Sequence, residues 1–219
     1  MKRIFTLLAI SLFLSSTTFA EDHSHFENFE QPMEFGFEGM KTTLVVKSNE
    51  GLDIEVKLSN FLDSDKLKLY KAVEILRDVM NSKELKNLIL NHKYKGEVTF
   101  NQNNEMTNEE IYNHLMTGAE NLKPDADQTM NFDLTLYRSK NPWSKVKGYT
   151  LPDTMQIWLN KKFYRKSSWT SVDVAANMAH EWVHKMGFGH DYYYNEDRPY
   201  SVPYAIGKLV GQVALNMGY

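Results

Sequence analysis

Histidines at 180, 184 and 190, a glutamate at 181 and a glycine at 187 fall within the run HEWVHKMGFGH. These types at these spacings can hold a metal ion and use it. Helix positions i and i+4 lie on one face about a turn apart, so His180 and His184 project together. Two imidazoles so placed can bind one Zn²⁺ at about 2.0–2.1 Å each. Glu181 follows the first histidine, which puts its carboxylate beside the metal, where it can hold a water and take its proton rather than ligate. Gly187 can adopt φ > 0, end the helix and send the chain sharply back, so that His190 returns as the third ligand. The fourth position stays open for water and substrate, as a catalytic zinc requires. Two buried core histidines would leave Gly187 and His190 unexplained. A structural zinc favours four protein ligands, usually with cysteine, and the chain has none.

Such a site needs a helix to carry it and a sheet to stand on. Ser171 to Met186 is compatible with helix throughout, with Thr170 or Ser171 as its cap. Thr42 to Lys47 and Leu52 to Leu58 read as a hairpin around Ser-Asn-Glu-Gly, the second strand alternating Leu52, Ile54, Val56, Leu58 against Asp53, Glu55, Lys57. Further strands are expected at Glu97 to Phe100, along the alternation Met130, Phe132, Leu134, Leu136, and along Met155, Ile157, Leu159. Asp63 or Ser64 caps a helix with the stripe Leu69, Val73, Leu76, Met80. Ser82 to Asn91 is a second helix, and Thr107-Asn-Glu-Glu110 is a capping box opening a third. A last helix buries Ile206, Leu209, Val210, Val213 and Met217. Helices interleaved with short strands make the class α+β, or mixed α/β.

The 219 residues are 42% hydrophobic and 24% charged, with a formal charge of −3. Lys2 and Arg3 followed by the apolar run Ile4 to Leu14 and a small residue at Ala20 give residues 1–20 the layout of a signal peptide. The apolar run is far short of the roughly 20 residues that span a bilayer. After cleavage 23 basic residues face 28 acidic ones, a charge of −5, and no basic stripe stands out that would bind nucleic acid. Residues 21–40 read as a leader or short pro-segment, with His23 and His25 at a solvated terminus. Residues 41–219 form a single domain. The expectation is a secreted or periplasmic bacterial protein, monomeric, without a membrane anchor once the signal is removed.

The run His180-Glu-Trp-Val-His184-Lys-Met-Gly187-Phe-Gly-His190 resembles the H-E-x-x-H-x-x-G-x-x-H signature of the metzincin zinc peptidases. That resemblance implies His180, His184 and His190 as ligands of one catalytic Zn²⁺ and Glu181 as general base and acid. It implies a zinc endopeptidase acting on protein or peptide substrates, and Asp191 as a brace of the turn. It also implies a twisted mixed sheet with an active-site helix and a C-terminal helix, here Ala205 to Met217. The edge strand along the bound peptide would be Met155 to Leu159. The chain departs from the family where a methionine turn is expected beneath the zinc. Ser201-Val202-Pro203-Tyr204 occupies that place, with proline instead of methionine.

Other signals are weaker. Tyr192, Tyr193, Tyr194, Tyr200 and Tyr204 crowd the region after the third histidine. Packing the lower wall and rim of the cleft is the expectation for any one of them, and Tyr200 or Tyr204 is the choice if one stabilises an oxyanion. His92 and His114 are expected to face solvent, Asp125 and Asp127 to mark a solvated turn, and Trp158, Trp169 and Trp182 to lie in the core. Two other functions compete: a zinc-containing binding module without turnover, and a gluzincin-type hydrolase whose third ligand is a downstream glutamate.

Overall fold

Alternation along Asp53–Ser59, with Ile54, Val56 and Leu58 buried, makes that segment a strand (β2), and the turn before it returns the chain onto Thr42–Val46 (β1). The two pair antiparallel, Thr42 opposite Leu58, in the expected hairpin. The computed structural model describes residues 42–219; the expected signal peptide (1–20) and leader (21–40), with His23 and His25, lie outside the described residues. Three strands follow, Thr129–Tyr137 (β3), Gly148–Thr150 (β4) and Gln156–Asn160 (β5), and the sheet order is β1-β2-β3-β5-β4. β2, β3 and β5 run parallel, while β1 and β4 are antiparallel edges. The fold is thus mixed α+β, as expected. The edge is not the expected one: β5, which contains Ile157 to Leu159, lies inside the sheet, and three-residue β4 covers it.

Among the described residues six helices accompany the sheet: Asp63–Met80 (α1), Lys83–Leu90 (α2), Asn108–Thr117 (α3), Lys161–Tyr164 (α4), Ser171–Lys185 (α5) and Val202–Asn216 (α6). Their starts follow local capping chemistry. The Ser82 hydroxyl accepts from Leu85 N–H, and the Thr107–Glu110 and Thr170–Asp173 pairs form reciprocal capping boxes. The α1 cap is Leu62 rather than Asp63 or Ser64, its N–H taken up by the Asp65 carboxylate at 3.0 Å. Asp65 also takes a forked pair of bonds from Arg165 at 2.7 and 3.0 Å, tying α1 to the end of α4.

Helix α5 packs between α1 and α6, and one apolar cluster runs from Leu52 to Ala214. Ala175, Ala176 and Ala179 give α5 a low surface on which α6 comes very close. A Cβ added at Gly207 of α6 would sit 3.0 Å from the Ala176 carbonyl oxygen and 3.1 Å from His180 Cβ. A side chain here would have to push these neighbours back by a few tenths of an ångström, and the approach is made beside the first expected ligand.

The expected strand at Glu97 to Phe100 does not form. Lys95, Gly96 and Gln102 all have positive φ, and Tyr94 pairs back onto Glu97 as a tight turn. The segment docks instead on a 3₁₀ turn, Arg198–Tyr200, through Asn101 N–H to the Tyr200 carbonyl at 2.9 Å. Here His92 is stacked on Phe100, ring centroids 4.1 Å apart, with its Nε2 buried and unbonded, so it does not face solvent as expected. Burial, and secondarily Lys208, lowers its pKa to about 4.

The folded value lies below the unfolded 6.5, so the neutral ring contributes its full stability above pH 6.5 and loses it as pH falls toward 4. With partial exposure this amounts to about 2 kcal/mol. Urea midpoints of wild type should therefore fall more steeply between pH 7 and 4 than those of His92→Phe; parallel curves would refute the assignment.

Candidate metal centre

Helix α5 ends after Lys185 in a Schellman arrangement. Gly187, at φ 91°, donates to the His184 carbonyl at 3.1 Å, and Phe188 N–H reaches back to the Val183 carbonyl at 3.4 Å. The chain then doubles back and brings His190 over the helix. The candidate ligand nitrogens of His180, His184 and His190 lie within 4.8 Å of one another, His180 Nε2 and His184 Nε2 being 3.3 Å apart.

The hydrogen bonds at the far side of two rings set their tautomers. His184 Nδ1 meets the Phe188 carbonyl at 2.8 Å and His190 Nδ1 meets the Asp191 carbonyl at 3.0 Å. A carbonyl only accepts, so each Nδ1 carries the proton and each Nε2 presents its lone pair. Converging lone pairs with oriented rings are a donor set a metal ion satisfies. This group could hold a metal ion.

Three supports converge on the return loop from distant segments. The Asn104 side chain donates to the Gly187 carbonyl at 3.1 Å, and Gln102 donates to the Asp191 carboxylate at 2.6 Å. His114 Nε2 donates to the Met186 carbonyl at 3.1 Å, with its ring edge-on to Phe188; it too does not face solvent as expected. Asp191, held also by Asn195 at 2.6 Å, is part of this bracing.

Beneath the histidines stands Tyr204. Ser201 is the N-cap of α6 and Pro203 lies in its first turn, so the next side chain turns toward the site. The Tyr204 ring centroid is 4.6 Å from that of His180 and 4.7 Å from that of His190. Fully buried Arg198 lies 4.8 Å from the Tyr204 ring on a cation–π contact. Tyr200 is elsewhere, against Tyr94 and His92 and partly exposed. Tyr192 borders the cleft, while Tyr193 and Tyr194 are exposed.

The cleft has a volume of about 500 Å³. One wall is β4 and the loop after it, from Gly148 to Met155, and the floor is His180, Glu181, His184 and Lys185. Glu181 is 2% exposed, its carboxylate 3.5 Å from the Asn177 amide one turn back. One turn ahead, Lys185 is buried and donates to the Leu151 carbonyl at 2.9 Å and to the Thr154 carbonyl, so it fastens the cleft wall to α5. Burial pulls its pKa down to about 8, opposed by the negative charge of Glu181. A lysine four residues after Glu181, on the face that points inward, was the available sequence signal for this role.

Behind the helix, fully buried Glu120 accepts from Trp182 Nε1 at 2.7 Å and from Asn131 N–H of β3 at 2.8 Å. Burial raises its pKa, although these donors favour the anion. No pattern in the sequence singled out Glu120. Trp169 and Trp182 are core as expected, whereas Trp158 is half-buried, stacked under Tyr149 with centroids 4.9 Å apart. Asp125 and Asp127 are exposed in the irregular segment that leads into β3. No protein-family model matches the chain, and no curated protein sequence is significantly similar to it.

Proposed function

We propose that the chain is an exported zinc-dependent endopeptidase, a metzincin in which a tyrosine takes the place beneath the histidines. The observation that carries this is the combination on one cleft floor: three converging imidazoles and, one residue after the first, a carboxylate that is buried yet borders the cleft. His180, His184 and His190 hold the ion. Zinc bound in this way supplies a Lewis acid for the substrate carbonyl and lowers the pKa of water.

Glu181 accepts the proton of the attacking water and returns it to the leaving amine. Asn177 holds its carboxylate from one side. Among the described residues β4 is an edge strand along the cleft, on which an extended peptide can add as a further strand. Tyr204, backed by Arg198, packs against the His180 and His190 rings and keeps them in place.

A binding module without turnover has no use for the Glu181 carboxylate. A gluzincin-type site needs an acidic ligand, and the metal-competent group found among the described residues is histidine only. Incubation of the chain from Glu21 with a peptide library should give cleavage that 1,10-phenanthroline abolishes and added Zn²⁺ restores. Stoichiometric zinc without cleavage of any peptide would favour the binding module.

A further inference from the structure

Between residues 138 and 166 the chain has eight lysines and arginines and a single acid, Asp153. This segment carries a charge of +7, which leaves the remainder of a chain of −3 at −10. In sequence the cations are split into two groups, and no stripe is visible. The fold joins them. The loop between β3 and β4 lies against α4, where Lys162 Nζ donates to the Pro142 carbonyl at 2.6 Å and the Ser144 carbonyl at 3.1 Å. The Asn160 amide holds the same loop through the Val146 carbonyl at 3.0 Å. Lys162 is thus fastened to the turn at 142–144, in the loop that carries Arg138, Lys140 and Lys145, with Lys166 just past the end of α4; all five are exposed.

At the tip of this basic face is Trp143. It is 86% exposed, in a run of exposed residues from Lys140 to Trp143. Its backbone is held: Trp143 N–H donates to the Asn141 side chain at 2.9 Å, and Asn141 N–H donates to the Ser139 hydroxyl at 3.1 Å. A built turn therefore presents a bare indole to solvent, at an obvious cost in apolar exposure.

We infer that the Trp143 turn and the lysines around it form a docking surface for an anionic lipid bilayer. An indole on a projecting turn suits the headgroup level of a membrane, where tryptophan is enriched. Lysines beside it are each attracted by the negative surface potential. Single-stranded nucleic acid calls for several aromatic faces along a groove; this surface has one indole, at a tip. No helix among the described residues is long and apolar enough to cross a membrane, so the contact is peripheral. The loop leads directly into β4, so docking sets one end of the cleft close to the bilayer. The inference stands independently of the metal centre.

The test uses the chain from Glu21 and sedimentation with vesicles of phosphatidylcholine alone or with about one third phosphatidylglycerol. Binding is expected only to the anionic vesicles at low salt, with release in 0.5 M NaCl. Trp143→Ala should lower partitioning about tenfold, and Lys140→Gln, Lys145→Gln and Lys166→Gln roughly fivefold each. Zinc content and cleavage of soluble peptides should be unchanged in all four. Equal binding to neutral and anionic vesicles, or full binding by Trp143→Ala, would overturn the proposal. So would binding of an oligonucleotide or heparin with none to vesicles, which would make the surface a polyanion site.

Discussion

Glu181→Gln is expected to retain one metal ion per chain while peptide hydrolysis falls by about 10²–10⁴ in kcat, the usual contribution of a positioned general base. Glutamine has the same size and keeps an oxygen toward Asn177, so α5 and its histidines have no reason to move. The carboxylate is not among the three converging nitrogens, which is why metal content should be indifferent to its loss. Metal analysis and thermal unfolding separate the chemical role from a structural one. Loss of metal together with activity would make Glu181 a residue that holds the site. Undiminished hydrolysis would end the proposed mechanism.

His190→Ala is expected to have the second large effect, on metal affinity. Removing an outer partner of a metal ligand usually costs 10–100-fold, and removing one of three ligands should exceed that range. Gln102→Ala and Asn104→Ala, which only brace the return loop, should fall within it. A competition titration against a chelator of known zinc affinity gives this ranking directly. Retained stoichiometric metal in His190→Ala would point to an acidic third ligand and to the gluzincin alternative. The fold should survive, because His190 is half-buried in a loop and carries no helix or strand.

What could be read from the sequence was what local periodicity and capping determine. Thr170 or Ser171 and Gly187 mark the two ends of α5, and between them the 180–184 spacing dictates which face the histidines share. Position within the sheet was not legible in the same way. The alternation along Met155 to Leu159 says strand, but a strand's own residues do not say which neighbours it has, and β4 is too short to leave a pattern of its own. Glu97 to Phe100 failed for a different reason. Its apolar residues suit an extended chain, yet the positive φ angles on either side fold it into a turn.

The cationic surface escaped because it exists only once α4 is laid against the 138–147 loop. The base of the site was only half legible. Ser201 to Tyr204 was located as the segment beneath the metal, but Pro203 opens α6 and the contact with the histidines is made by Tyr204.

The bond between Glu120 and Trp182 has a consequence for where the histidines stand rather than for how well the chain folds. Ala175, Ala176 and Ala179 give part of the packed face of α5 little relief, and apolar contacts there, being non-directional, do little to fix the helix along its axis. The bond from Trp182 to Glu120 is not so tolerant, because shifting α5 strands the buried indole N–H and leaves Glu120 with its Asn131 donors alone. Glu120 therefore works as a detent: it picks one longitudinal setting of α5 against β3, and with it the height of His180 and His184 above the cleft. An apolar pair of equal volume at these two positions could keep the protein folded and leave its imidazoles out of reach of His190.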